Sequence, residues 1–422
     1  MWESLLKLFR VPDLKRRVLF TLSMLVVFRI GAHIPVPGID PRALAGVFSQ
    51  GGILGFLDMF AGGALSNFSI LALGIVPYIN ASIIIQLLTA VIPSLEELSR
   101  SGEEGRSKIA QYTRWFAVVL ALVQGFGITS WIEGVGVTLY PGWGYRITVL
   151  LTLTAGTIFL MWLGELISDF GVGNGTSLII FSGIVARLLP QLVSTVSLVR
   201  VGEINLLYFI LTLVGGIAIV TVVVAFQEAQ RRIPVQYSKR VVGRRMYGGQ
   251  STHIPITIIQ GGVLPIIFAS SILLFPATLA QFFQGSKVMA SIASALSPGS
   301  PLYFTLYVAL IIFFTYFYTA VSFNPVELAD NMQKYGGFIP GIRPGRPTVE
   351  YLDRTLSRIT LWGALFLAFI AVVPDILTRA TGVTTFYFGG TAIIIMVGVA
   401  IETVRQLEAQ LLMRHYEGFI RK

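Results

Sequence analysis

Few residues in this chain have the types and spacing for bond-making chemistry. There is no cysteine, which removes disulfides, thiol nucleophiles and thiolate metal sites together. His33, His253 and His415 are scattered and none belongs to an HExxH pair, so no metal site is expected and the pattern argues against a zinc hydrolase. Gly171, Gly173 and Gly175 imitate a phosphate-cradling loop, but no strand precedes them and no Lys–Ser/Thr follows; they read as a tight turn between two apolar runs. Asn174 and Thr176 match a glycosylation acceptor, on what the charge pattern makes the cytoplasmic side. An intramembrane enzyme needs a catalytic pair or a metal cluster, and neither is evident. Ion-coupled solute transport needs ionisable residues at membrane depth. Arg29, Glu165, Asp169 and Glu402 fall near the ends of apolar runs. Arg187 is the most awkward charge inside one; it marks a shorter span or snorkels to the outer interface. No paired relay is apparent, nothing indicates nucleotide hydrolysis, and no cofactor is expected.

The elements that carry these residues are membrane elements. Of the 422 residues 54% are apolar and 12% charged, and mean hydropathy is +0.76, whereas a soluble domain carries about 25% charged residues. Repeated apolar runs argue for one polytopic bundle rather than several soluble domains. Ten runs approach the length of a spanning helix: Val18–Ile34, Ile70–Ile92, Trp115–Ile132, Ile147–Ile167, Ser177–Val196, Leu206–Phe226, Gly262–Phe283, Leu302–Phe323, Ile359–Val373 and Phe386–Ile401. If they alternate across the bilayer, 24 of the 31 Lys and Arg fall on one side, which orients both termini to the cytoplasm. The amino-terminal stretch reads as retained rather than as a cleaved signal peptide. Ten spans divide into five and five, and an odd-numbered duplicated half must insert in opposite orientations.

Two cytoplasmic loops exceed ordinary connection length. "RIPVQYSKRVVGRRMYGG" (232–249) alternates apolar and basic residues as a β-hairpin does, and carries Arg240, Arg244 and Arg245. "GGFIPGIRPGRPTVEYLDR" (336–354) is too rich in Gly and Pro for a long helix before Pro347, and carries Arg343 and Arg346. Such stiff basic projections suit docking of an anionic surface; a plain topology signal would need the charge without the framework. A third feature is "DMFAGGALSNFSI" (58–70), too apolar for a surface loop. A helix over Leu54–Ser66 would reach only about 20 Å, short of a hydrocarbon core of about 30 Å. Gly62 and Gly63 would weaken it by about 1 kcal/mol each. Composition leaves open an interfacial helix on the outer leaflet and an element folded back into the bundle.

Several long ordered motifs resemble the SecY/Sec61-alpha family of protein-translocation channels. They are "GGALSNFSILALGIVPYINASIIIQLL", "GEEGRSKIAQYTR" (102–114), "GNGTSLIIFSGIVA" (173–186), "GGVLPIIFASSILLFPAT" (261–278), "YGGFIPGIRPGRPT" (335–348), "FGGTAIIIMVGVAIE" (388–402) and the tail "RHYEGFIRK". The resemblance covers essentially the whole chain. It implies an all-α polytopic fold of ten helices in two inverted five-helix halves around a central pore, residues 1–200 and 201–422. A plug half-helix would occupy about 54–68, and docking loops about 228–261 and 324–358.

By the same resemblance the function is passive conduction of unfolded secretory polypeptides across the bacterial cytoplasmic membrane, with lateral release of transmembrane segments into lipid. The energy would come from the SecA ATPase or the translating ribosome. SecE and SecG would be the small membrane partners and signal sequences the recognised ligands; no sequence-specific nucleic-acid binding is expected. The pore ring maps onto Ile79, Ile83, Ile180, Ile184, Ile267 and Ile395, and the plug onto Leu57, Met59, Phe60, Gly62, Gly63 and Leu65. The lateral gate would run between Asn80, Ser82, Gln86 and Thr89 on one span and Ser270, Ser271, Phe275 and Pro276 on another. Arg240, Arg244, Arg245, Arg343 and Arg346 would dock the motor or the ribosome. Isoleucine suits a gasket: it is stiff at its branched carbon and carries no hydrogen-bonding group.

Overall fold

Each of the ten apolar runs overlaps a helix in the computed structural model, which describes residues 11–39, 53–237, 240–242, 245–247, 251–282, 291–292, 294–297, 300–381 and 390–420. The amino-terminal part comprises α1 (Pro12–Gly31), α2 (Ile53–Phe60), α3 (Val76–Val91), α4 (Pro93–Arg100), α5 (Glu103–Val135), α6 (Trp143–Phe170) and α7 (Gly175–Val201). α8 (Leu206–Glu228) leads into β1 (Gln230–Tyr237), β2 (Arg240–Val242), β3 (Arg245–Tyr247) and β4 (Ser251–Thr257). Then follow α9 (Leu264–Phe282), α10 (Pro301–Ser322), α11 (Pro325–Lys334), β5 (Gly337–Phe338), α12 (Arg346–Thr381) and α13 (Gly390–Ile420).

Six of these helices are each long and apolar enough to cross a membrane: α5, α6, α7, α8, α10 and α12. The pair α3–α4 would be a seventh, bent by 101°. Pro93 opens α4, and Ile92 before it is extended, the conformation a following proline favours. The apolar part of α9, Leu264–Pro276, is shorter. Helix starts are set locally. The Asn205, Ser300 and Asn324 side chains accept amide hydrogen bonds in the first turns of α8, α10 and α11. Asn174, noted above for its glycosylation pattern, is likewise the cap of α7, accepting from the Ser177 amide at 3.0 Å.

Two expectations about element boundaries need correcting. The half-helix expected over 54–66 is an eight-residue helix, α2, followed by consecutive turns from 61 to 68. Gly62 (φ +66°) and Gly63 (φ +88°) end it by adopting left-handed backbone, which glycine tolerates without steric cost. The run beginning at Ile70 likewise becomes helical only at Val76.

The two long loops expected on the cytoplasmic side are not separate projections. β1 pairs antiparallel with β4 from Gln230↔Thr257 to Gln236↔Ser251, and on its other edge with β5 at Gln236↔Phe338 and Tyr237↔Gly337. The expected 232–249 hairpin is thus divided between two sheets: β2 and β3, which fall between β1 and β4 in sequence, pair antiparallel with each other. Ile233, Val235 and Ile256 from the ribbon pack with Ala329, Met332, Ile339, Leu352 and Leu356 from the second loop and the start of α12. One small core therefore stiffens both loops. It is separate from the main core, which runs from α1 to α13.

Candidate pore and plug

The six isoleucines expected to ring a pore come from four helices, α3, α7, α9 and α13, and all lie in one buried apolar cluster. Ile79 and Ile83 are one turn apart on α3, as Ile180 and Ile184 are on α7, so each pair shares a helix face. Ile395 is fully enclosed and none of the six is more than 4% exposed. The same cluster contains Phe60 at the end of α2 and Ala61, Ala64, Leu65 and Phe68 of the segment after it, with Leu57 and Met59 packed at its margin. α2 itself contacts α7 and α9. The short segment therefore lies inside the bundle against the isoleucine-bearing helices, and an interfacial placement is ruled out for this conformation.

Polar contacts fix its position. The amide of Val36 donates to the Phe68 carbonyl at 2.9 Å and that of Ile70 to Ile34 at 3.0 Å, so the far end of the segment is stitched to the chain after α1. Arg29 on α1 donates through Nη1 to the Gly62 carbonyl at 2.7 Å. Arg187 neither shortens α7 nor snorkels: α7 continues to Val201, and the Arg187 guanidinium pairs with the Asp58 carboxylate of α2. The other Asp58 oxygen accepts from the Ser66 amide at 2.8 Å. A charged pair inside the bundle is thus present where sequence reasoning saw none. The partners lie 129 positions apart, beyond the reach of spacing rules, although the misfit of Arg187 in an apolar run was a visible signal.

At the seam between α3 and α9, Asn80 is buried and neither its Nδ2 nor its Oδ1 has a partner. It lines a cavity of about 20 Å³ with Leu57 and Leu65, with Gln124 of α5, and with Leu274, Phe275 and Thr278 of α9; that is room for about one water. The other expected gate residues turn inward to their own helices. Gln86 Nε2 donates to Ser82 Oγ at 3.2 Å, and Thr89 Oγ1 to the Ile85 carbonyl at 2.8 Å. Ser270 donates to the Ile266 carbonyl at 2.7 Å and faces Tyr307 Oη of α10 at 3.4 Å rather than α3. Ser271 is buried, Phe275 is half-buried, and α9 runs through Pro276, which is exposed. Leu274, Thr278 and Gln124 were not anticipated from the sequence.

On the unit built from the two long loops the Arg343 side chain is exposed while its carbonyl accepts from buried Thr348 Oγ1 at 2.9 Å. Arg346 is exposed and lies 3.4 Å from Glu350 one turn along α12, so it is partly neutralised rather than free. Arg240 and Arg245 sit in the paired strands β2 and β3. Arg244 lies outside the described residues.

Known proteins agree with this architecture. The family model SecY matches residues 69–404. The protein translocase subunit SecY of Thermus thermophilus is 47% identical over 427 residues, covering 99% of this chain and 97% of that one. A solved structure described as that of a protein conducting channel superposes with a TM-score of 0.69 at 18% identity, covering 94% of this chain and 92% of the other. Sec61 in the canine ribosome-channel complex from the endoplasmic reticulum gives 0.66 at 17% identity, with the same coverages. At those identities the structures speak for the fold, whereas the family match and the full-length relative speak for descent. The chain, a multi-pass membrane protein, belongs to the SecY family.

Proposed function

We propose that this chain is the protein-conducting channel of a bacterial Sec translocase, in its closed form. The observation that carries the reading is the burial of six isoleucines from four helices in one cluster with a short, glycine-broken segment seated against them. Such a ring gives a water-excluding constriction that favours no particular passing side chain, and dewetting keeps it tight to ions. The segment is the plug. Lateral release would proceed between α3 and α9, where the unpaired Asn80 amide makes a poorly satisfied seam that parts at low cost.

The ten apolar runs would form ten spans in two inverted halves, 1–200 and 201–422, with both termini in the cytoplasm of the bacterial inner membrane. The chain is a passive subunit. SecA or the ribosome would drive it by docking on the stiffened cytoplasmic unit through Arg343, with Arg240, Arg244, Arg245 and Arg346 supporting. A ribosome-bound relative makes the ribosome a reasonable partner. SecE and SecG would complete the complex, signal sequences would open it, and lipid would receive released segments.

Transport of a signal-bearing polypeptide into vesicles holding the reconstituted complex, with SecA and ATP, tests the proposal. The Asp58–Arg187 pair gives a second reading some support, because ion-coupled solute transporters carry charges inside the bundle. Solute uptake without polypeptide transport in the same vesicles would favour that reading and overturn ours.

A further inference from the structure

The contact between Asp58 and Arg187 joins the plug segment to α7, and its surroundings are asymmetric. The Asp58 side chain is 1% exposed and that of Arg187 is 30% exposed. Both carboxylate oxygens are committed, one to Arg187 and one to the Ser66 amide, so Asp58 closes its own turn of the segment while binding another helix. Arg29 reaches the same turn from α1 by way of the Gly62 carbonyl. Arg187 also borders a cavity of about 20 Å³, shared with Met59, Ile184 and Gln191, which gives the cation a space about the size of one water. Asp58 does not line that cavity.

We infer that Asp58, Arg187 and Arg29 form a charge lock that selects which turn of the plug segment docks on α7 and holds it in the closed position. The inference rests on reading the segment as a plug. A buried ion pair adds little net stability, because desolvation offsets its attraction, but removing one partner strands the other charge at large cost. Such a pair specifies position. When the segment leaves, Asp58 and both arginines regain water together, so the lock does not oppose opening by its full Coulomb attraction. When Asp58 alone is neutralised, two guanidiniums face the segment without an anion, and the docked state loses its register.

The test uses the full complex in vesicles and a single introduced cysteine, Ala64→Cys, in a chain that has none. Ala64 is fully buried, so its labelling by an impermeant thiol reagent from the outer side reports departure of the segment. Asp58→Asn and Arg187→Gln should each raise the labelling rate by about tenfold or more, the loss expected when one partner of a buried pair is stranded. Arg187→Lys, which keeps the charge, should stay closer to the parent than Arg187→Gln. The double variant Asp58→Asn with Arg187→Gln should label more slowly than either single, because neither member of the buried pair is left stranded and Arg29 keeps its bond to the Gly62 carbonyl. Singles that label at the parental rate, or a double that labels as fast as the two effects combined, would overturn the lock. Labelling requires no passage of polypeptide. Failure of the channel reading would instead appear as absent transport in the parent, whatever the labelling shows.

Discussion

Gly62 of the proposed plug segment and Gly183 of α7 meet backbone to backbone. A Cβ on Gly183 would lie 2.7 Å from Gly62 Cα, and a Cβ on Gly62 would lie 2.8 Å from Gly183 Cα. Neither neighbour is a flexible side-chain end, so a methyl group at either place must move the segment or the helix. The two sites differ otherwise. Gly62 has φ +66° and would be strained by any side chain, whereas Gly183 lies within α7, where alanine favours the helix by about 1 kcal/mol. Gly183→Ala should therefore leave α7 folded and still unseat the plug. We expect a raised resting ion conductance in planar bilayers, larger again for Gly183→Val. Parental conductance in both variants would mean that the segment does not seal here.

The isoleucine cluster should respond to polarity before shape. Ile83→Asn or Ile395→Asn places an amide where the parent side chains are no more than 1% exposed. An amide buried without partners costs about 1–3 kcal/mol and is relieved by admitting water. Resting leak should rise by about tenfold, the equivalent of about 1.4 kcal/mol, and passengers with weakened signal sequences should gain entry. Ile83→Leu, which keeps the apolar surface, should change the leak less than about threefold. Equal leak in the Asn and Leu variants would remove these positions from the seal.

Docking should separate from conduction. Arg343 is held by its carbonyl and not by its side chain, so Arg343→Glu should leave the unit built from the two long loops intact. Charge reversal at an exposed contact acts mainly on association and its salt dependence, and we expect SecA affinity and SecA-driven transport to fall by about tenfold or more. Leu352→Ala probes the opposite case. Leu352 is fully buried among residues from both loops, and its truncation should destabilise that unit by about 2–5 kcal/mol, read as faster proteolysis of the loops. Unchanged affinity in Arg343→Glu at physiological salt would assign the docking elsewhere.

The parts of this molecule that depend on local composition were legible in its sequence. Apolar length marked the helices, and the i, i+4 spacing of Ile79 with Ile83 put both on one face. The identity of the ring came from resemblance, because any isoleucine in a membrane helix looks like any other. Long-range pairing was not legible. Nothing in the spacing of Gln236 and Phe338 announces that β5 extends the β1 sheet, and nothing local ties Asp58 to Arg187. The short helix ends earlier than helix propensity implies for a physical reason: Gly62 and Gly63 are not merely weak helix residues but adopt left-handed backbone and end the helix.

Tethering tests the plug most directly. α2 has only eight residues, too few for an isolated helix to persist in water, so its docked position depends on the contacts to α1, α7 and the isoleucines. Met59 and Ile184 line one cavity on either side of the contact between α2 and α7. With no native cysteine in the chain, Met59→Cys with Ile184→Cys leaves a single possible intramolecular link. Oxidation, or a short thiol–thiol crosslinker, should hold the segment in place. Polypeptide transport should then fall to background while SecA binding is retained, since Arg343 lies on the unit with its own separate core. Reduction should restore transport. Deleting 57–65 should have the opposite effect, a transport-competent channel with raised resting conductance, because the isoleucines lose the surface that packs on them. Crosslinked protein that still moves substrate at the reduced rate would show that passage does not require this segment to leave.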